Sequence, residues 1–392
     1  MSLRIKEKSA EQVLNDYLDS IYLQSHSVSS VKSYRTAITG IKNGFRIFLK
    51  DKYNCDEVQL AFRIENKEID IYHILSEYVI FLDKKSIKPK TIRNWLSVVK
   101  GYFSFMGIDV FAEKCKQIVK LPKVRRLKKE ALTKEILIKL LHNLDTKLQT
   151  AVLVAVSSGM RVGEISGLTL ADIEFNSDPV KINVRAETSK SGEDRETYIS
   201  KEASEALQDY LQRFFGWRED SPNKKLQMLR IFGRTNRIRD RDNRLPNPEE
   251  QLSEAILLQK ALIRKLIKVP ELNRLARNGR RVIHFHAFRE FFYTQVSNIS
   301  GSNFAHALMG HHEYLDTYYA LSEKQQSSLY KKAESYLIIS DYTKIEKSLE
   351  NIQNKQTDII EKYDAFERYL RQKDPAFLEF LKRKESLESK CS

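Results

Sequence analysis

Residues 309–320 read MGHHEYLDTYYA, which sets the adjacent histidines His311 and His312 beside Tyr314, Tyr318 and Tyr319. A phenol becomes a nucleophile only where something takes its proton, so this crowd is either a surface turn or a site where one tyrosine reacts. Three other stretches hold residue types that could serve such a tyrosine. In SSGMRVGEISGLTLADI, Arg161 follows Gly159 at a turn and precedes a short amphipathic segment with Glu164. In VKINVRAETSKSGEDRETYIS, Lys190 stands at the tip of a β-hairpin. In HFHAFREFFYTQV, His286 and Arg289 are three apart, a spacing that puts both on one helix face. Taken singly, an arginine after a glycine, a lysine at a hairpin tip and an HxxR pair are ordinary surface features. Their order along the chain makes them a candidate constellation: Arg161, Lys190, His286, Arg289, His311, then tyrosine.

The elements that must position these residues are mostly helices. Val31, Tyr34, Ile38, Ile41, Phe45 and Phe48 fall three and four apart, which predicts one amphipathic helix capped by Ser29 or Ser30. A second stripe runs through Ile92, Trp95, Leu96, Val99 and Phe103, with Pro89 and Thr91 at its start and Gly107 at its end. Lys32, Arg35, Lys42, Arg46, Lys90, Arg93 and Lys100 lie off the stripes, an excess of one sign that suits a phosphate-facing surface. A basic linker with Pro122, Lys123, Arg125, Arg126 and Lys128 follows, ending at a helix cap, Thr133, with Glu135 in the first turn. Beyond it, Ile182, Val184 and Ala186 alternate with Asn183, Arg185 and Glu187, and a turn near Ser191-Gly192 returns into RETYIS. The chain from 216 to 282 is polar and basic around a helical SEAILLQKALIRKLI, and Ser322 with Gln325 forms a capping box after the tyrosines. Near the C-terminus, Ile345, Leu349, Ile352, Gln356, Ile359, Tyr363, Phe366 and Leu370 repeat as an a/d seam, either a coiled coil or a helix packed on its own domain.

Composition narrows the partner. A formal net charge of +15 and a pI near 9.4 point to a polyanion, with nucleic acid first. Hydrophobic residues at 41% suffice for two cores in 392 residues. No apolar run reaches membrane-spanning length, and the start MSLRIKEKSAEQ has no signal-peptide core. Cys55, Cys115 and Cys391 stand at no metal-ligand spacing and read as free thiols in a reducing compartment.

With these motifs assembled, the sequence resembles the tyrosine recombinases, the phage integrase and Xer family. SSGMRVGEISGLTLADI is similar to the family's first-arginine box, TSKSGEDRETYI to its hairpin-lysine segment, HAFR to its HxxR box, and LMGHHEYLDTYY to its LGH-to-tyrosine segment. The details of LDTYYALSEKQQSSLYKKAESYL resemble integrases of archaeal mobile elements. The resemblance implies a mainly α protein with a small β-hairpin or sheet (α+β), forming a C-shaped clamp on DNA. Its parts are a helical core-binding domain over 1–120, a basic linker over 121–132, a catalytic domain over 133–338 and a helical extension over 339–392. It implies cleavage and rejoining of duplex DNA through a 3′-phosphotyrosyl link, with no metal, cofactor or ATP, integrating or excising a mobile element or viral genome. Arg161 and Arg289 would grip the non-bridging phosphate oxygens, Lys190 would be the general acid, His286 would assist proton transfer, His311 would hydrogen-bond the phosphate, and Glu164 would support them. Lys32, Arg35, Arg46, Lys90, Arg93, Lys100, Lys123, Arg125, Arg126 and Lys128 would face the duplex.

Partners implied are double-stranded attachment sites and a tetramer of this chain in the synaptic complex, monomer or dimer when free, with an accessory DNA-bending or excision factor and no membrane. The place of work is the cytoplasm, on nucleoid DNA, in the prokaryotic host of a mobile element. The chain departs from the family pattern in the long basic stretch between Lys190 and His286, which leaves Lys181 and Lys201 as alternatives to Lys190. It also departs in the small room before residue 10 for an arm-type DNA-binding domain, and in the length of the tail. A type IB topoisomerase would share the chemistry, and a catalytically dead DNA-binding regulator would lack one of the six residues. Tyr314 is only three residues beyond His311 and ranks third as nucleophile, behind Tyr318 and Tyr319, which stand just before the next helix. The resemblance to archaeal-type integrases, whose similar segment keeps the first tyrosine of the pair, implies Tyr318 as nucleophile, with Tyr319 second.

Overall fold

The computed structural model describes residues 8–124, 130–189, 192–218, 227, 230–233, 248–277, 279–311, 321–340, 356, 359–363, 365, 366 and 368. The chain divides into two units, Met1–Glu130 with Gly233–Leu258 and Leu275–Arg280, and Ala131–Phe232 with Gln259–Arg274 and Arg281–Ser392.

The first unit is built from α1 (Ala10–Ser25), α2 (Val28–Thr39), α3 (Phe45–Tyr53), α4 (Glu57–Glu65), α5 (Ile71–Lys84), α6 (Pro89–Phe105) and α7 (Ala112–Ile118). Ser9 with Gln12 and Asp56 with Gln59 form capping boxes that satisfy otherwise orphaned N–H groups of α1 and α4. Pro89 sits in the first turn of α6, where its missing N–H costs nothing. That helix buries Ile92, Leu96, Val99 and Phe103. The core is aromatic: the Phe45 ring meets Tyr78 edge-on at 5.0 Å and Phe103 at 5.7 Å. Cys55 and Cys115 are buried free thiols.

The single helix expected across Val31 to Phe48 is two. Gly40 caps the end of α2, Gly44 is the N-cap of α3, and the Gly44 N–H donates to the Gly40 carbonyl at 2.8 Å. Two glycines four apart weaken a helix interior enough for a turn to win. Ile41, expected in the stripe, is 90% exposed on that turn. The cap of α2 is Ser27, not Ser29 or Ser30.

The second unit contains α8 (Lys134–His142), α9 (Thr146–Ser158), α10 (Val162–Gly167), β1 (Ile173–Glu174), β2 (Val180–Val184), β3 (Arg195–Ile199) and α11 (Lys201–Phe215). It continues with the later turns of α12 (Pro248–Ile267), then α13 (Phe285–Ser300), α14 (Ser302–Leu308) and α15 (Glu323–Leu337). Thr133 caps α8. The three strands form an antiparallel sheet ordered β1-β2-β3, with Ile182 opposite Thr197. The described residues are thus mainly helical with one small sheet.

Helix α9 is the axis of this unit. It is apolar nearly all round from Ala151 to Val156, the pattern of a helix with no solvent face. Each fully buried Leu or Val contributes about 1.5–3 kcal/mol. The hydroxyls of Ser157 and Ser158 turn back to the Leu153 and Val154 carbonyls at 2.7 and 2.6 Å, so their burial leaves no orphaned donor.

Helix α15 is fastened along its length. Ser322 and Gln325 make the expected capping box, Glu323 accepts from Lys181 at 2.8 Å, and the buried Tyr330 hydroxyl donates to the Ser157 carbonyl at 2.8 Å. Of the C-terminal seam, Ile345, Leu349, Ile352 and Leu370 lie outside the described residues, as does Cys391, while Ile359, Tyr363 and Phe366 are exposed.

Candidate active site

Four separated segments of the second unit converge where α9 ends. Gly159 terminates the helix with φ +65°, a left-handed conformation that L side chains rarely adopt. A Cβ there would also come within 2.3 Å of the Phe292 ring. The reversal delivers Arg161 to the start of α10, where its backbone N–H donates to Glu164 Oε2 at 2.7 Å and its guanidinium pairs with Oε1 at 2.9 Å. The Arg161 side chain keeps 29% of its surface open.

Glu164 is fully buried and serves a second arginine. Arg195, the first residue of β3, donates to both its oxygens, at 3.1 and 2.6 Å, and its Nε donates to the Leu308 carbonyl at 3.0 Å. Burial pushes the Glu164 carboxyl up, but the Arg195 charge and hydrogen bonds, with Arg161 and Arg289 behind them, outweigh it and hold the group below the ordinary carboxylate range.

Arg289, on α13, is buried, and its two terminal nitrogens donate to the Gly159 and Met309 carbonyls. Two of its five N–H donors are spent this way, and the clamp fixes the plane of the rest. Burial and then the Arg161 charge pull its pKa down to about 9, so the guanidinium remains charged at neutral pH.

His311 follows Gly310, which has φ +68° and lies so close to Arg195 that a Cβ would meet its Cδ at 2.7 Å. Its Nδ1 is 2.7 Å from Nδ1 of His306. Burial first, then Arg289, His306, Arg161 and Arg195, lower the His311 pKa to about 4, which leaves it neutral at pH 7.

Of the sequence candidates, Arg161, Glu164, Arg289 and His311 are brought together. His286 is not drawn into this buried cluster: its side chain is 64% exposed, with Nε2 3.3 Å from Glu290. Residues three apart on a helix differ by about 60° in direction, so one face can straddle the solvent boundary. Lys190, Tyr314, Tyr318 and Tyr319 lie outside the described residues, as do Arg125, Arg126 and Lys128. Lys181 is a poor alternative acid, since it lies 2.8, 3.0 and 3.5 Å from Glu323, Glu174 and Glu196. Burial there lowers its affinity for a proton, but the hydrogen bonds to Glu323 and Glu174 prevail and raise it above the lysine range. The other alternative, Lys201, begins α11 with its backbone N–H on Glu334 at 2.7 Å.

In the first unit, Lys32, Lys90, Arg93 and Lys123 are exposed and Lys100 is half-buried. Arg35 and Arg46 are engaged internally, Arg35 with Glu11 and Asn15 and Arg46 with Glu11 and buried Glu57. Sequence reasoning missed Arg195 and His306. The signal for Arg195 was an arginine on a short strand whose other residues are apolar or neutral apart from Glu196. His306 offered none, because only the fold brings it to His311.

A family model described as the phage integrase family matches residues 130–325, half of the chain. None of the curated proteins matches it. Among solved structures, the chain is similar to a lambda integrase dimer bound to a COC′ core site, at 15% identity over 82% of this chain and 94% of that one, with a TM-score of 0.48. The Tn1549 transposon integrase with transposon right-end DNA aligns at 16% identity over 72% and 96%, TM-score 0.45, and XerA recombinase at 19% over 82% and 97%, TM-score 0.34.

Proposed function

The chain belongs to the phage integrase family of tyrosine-type site-specific DNA recombinases, and we propose that Tyr318 is its nucleophile and Arg161, Arg289 and His311 its phosphate-binding residues. The observation that carries this reading is the charge count at the end of α9: three guanidiniums around one carboxylate, a surplus suited to an anion. A scissile phosphodiester placed there would have the charge on its non-bridging oxygens neutralised by Arg161 and Arg289. The Tyr318 oxygen would attack phosphorus as its proton passes out with the help of His286, and the 5′-oxygen would leave taking a proton from Lys190. The 3′-phosphotyrosyl bond conserves the energy of the broken linkage, so religation requires no nucleotide.

The finer parts of the reading are a duplex attachment site met partly through the exposed lysines of the first unit, a core-binding domain over 1–120 joined by the 121–132 linker to a catalytic domain over 133–338, and four copies in the synaptic complex. The tail over 339–392 would contact a neighbouring copy, an accessory factor would bend the DNA, and the setting would be the host nucleoid of an archaeal mobile element.

The test is incubation with a nicked suicide duplex carrying the element's attachment site. The parent protein and Tyr319→Phe should form an adduct resistant to denaturant, whereas Tyr318→Phe should bind the duplex and form none. An adduct from Tyr318→Phe that is missing from Tyr319→Phe would exchange the two roles.

A further inference from the structure

His306 is the residue that meets His311. The Nδ1 atoms of the two rings are 2.7 Å apart, and the ring centroids lie 4.8 Å apart at 34°. The His311 backbone N–H donates to the His306 carbonyl at 3.1 Å, so ring and backbone of His311 are both referenced to one residue. The Tyr293 ring also packs against the His306 ring, with centroids 4.7 Å apart.

Two imidazole nitrogens at this distance share a single proton, because two N–H groups cannot face each other and two lone pairs repel. One ring donates and the other accepts. A neutral imidazole carries one N–H, so the partner at Nδ1 decides whether Nε2 presents a proton or a lone pair.

Resting on the reading that His311 hydrogen-bonds the scissile phosphate, we propose that His306 is a positioning residue whose Nδ1–H donates to His311 Nδ1 and thereby holds the His311 proton on Nε2, the edge left for a phosphate oxygen. The opposite tautomer would turn a lone pair toward an anion. Protonating His311 would supply both donors, but burial and the neighbouring arginines oppose that charge. The tautomer is therefore what the fold has to control, and a ring five residues upstream on α14 controls it.

Nitrogen-15 shifts of histidine-labelled protein, taken without DNA at pH 7.5, read the tautomer directly. Parent His311 should carry its proton on Nε2, and a proton on Nδ1 would overturn the proposal. His306→Gln keeps a donor, so it should keep the Nε2–H form and cleave the suicide duplex within about threefold of the parent rate. His306→Glu offers only acceptors at neutral pH, so it should move the His311 proton to Nδ1 and slow cleavage about 10–100-fold. The two replacements are nearly the same size, so a packing defect would slow both alike, and equal rates in the two variants would overturn the proposal. Thermal unfolding of each variant tracks the folded fraction, and if neither folds the parent spectrum alone decides. Failure of the parent to form any adduct would count against the recombinase reading, while the tautomer measurement would stand or fall separately.

Discussion

Each unit of the molecule contains a buried glutamate that holds an arginine, and the two behave oppositely. In the first, Glu57 takes Arg46, which also reaches Glu11, and Glu11 takes Arg35, so two carboxylates meet two guanidiniums. There burial dominates and the Glu57 carboxyl is pushed up despite Arg46. In the second, Glu164 alone faces Arg161, Arg195 and Arg289, and its carboxyl is driven down. A set balanced in charge calls for no anion from outside. A set with surplus positive charge is suited to an anion from outside, and under the proposed reading that anion is the scissile phosphate.

The largest expected effect breaks the surplus. Arg289→Ala and Arg161→Ala should each lower adduct formation on the suicide duplex at least about 10²–10³-fold, with site binding by gel shift nearly intact, since binding is spread over many phosphate contacts. A variant cleaving near the parental rate would remove that arginine from the site. Next comes Arg195→Met, which strands Glu164 without its bidentate partner. It should destabilise the protein by about 3–5 kcal/mol in denaturant unfolding, and it should slow cleavage even where the protein is fully folded. Arg46→Met is the matching change on the balanced side. It should cost about 1–3 kcal/mol, because Arg46 is partly exposed, and leave cleavage by the folded fraction unaltered. Equal cleavage defects in Arg195→Met and Arg46→Met would dissolve the contrast.

The smallest effect concerns pH. The folded pKa of His311, about 4, lies below the unfolded value near 6.5, so the unfolded chain binds the extra proton first. The His311 contribution is therefore fully present above about pH 6.5 and is lost as pH falls toward 4, with no further loss below. Melting temperatures of the parent should fall more steeply across that window than those of His311→Gln.

Much of the fold was readable because helix signals are local. Thr133 and the Ser322–Gln325 box mark their helices through side chains that reach only three residues, and the α6 stripe is a periodicity within one segment. The break between α2 and α3 was misread because the apolar spacing continued across Gly40 and Gly44, and spacing alone does not register the weakness of two glycines. Arg161, Glu164, Arg289 and His311 were legible from motifs. Their actual partners were not, since Arg195 to Leu308 spans 113 positions and Arg289 to Gly159 spans 130. His286 shows the same limit from the other side: its spacing to Arg289 was right, but only packing decides where the surface falls.

Position 159 concentrates risk. Its carbonyl holds Arg289, its reversal places Arg161 two residues later, and its missing side chain makes room for Phe292. Any side chain brought in at that position would have to displace the Phe292 ring and adopt a left-handed backbone, disturbing both guanidiniums together. A change at residue 159 therefore acts on both arginines in a single step.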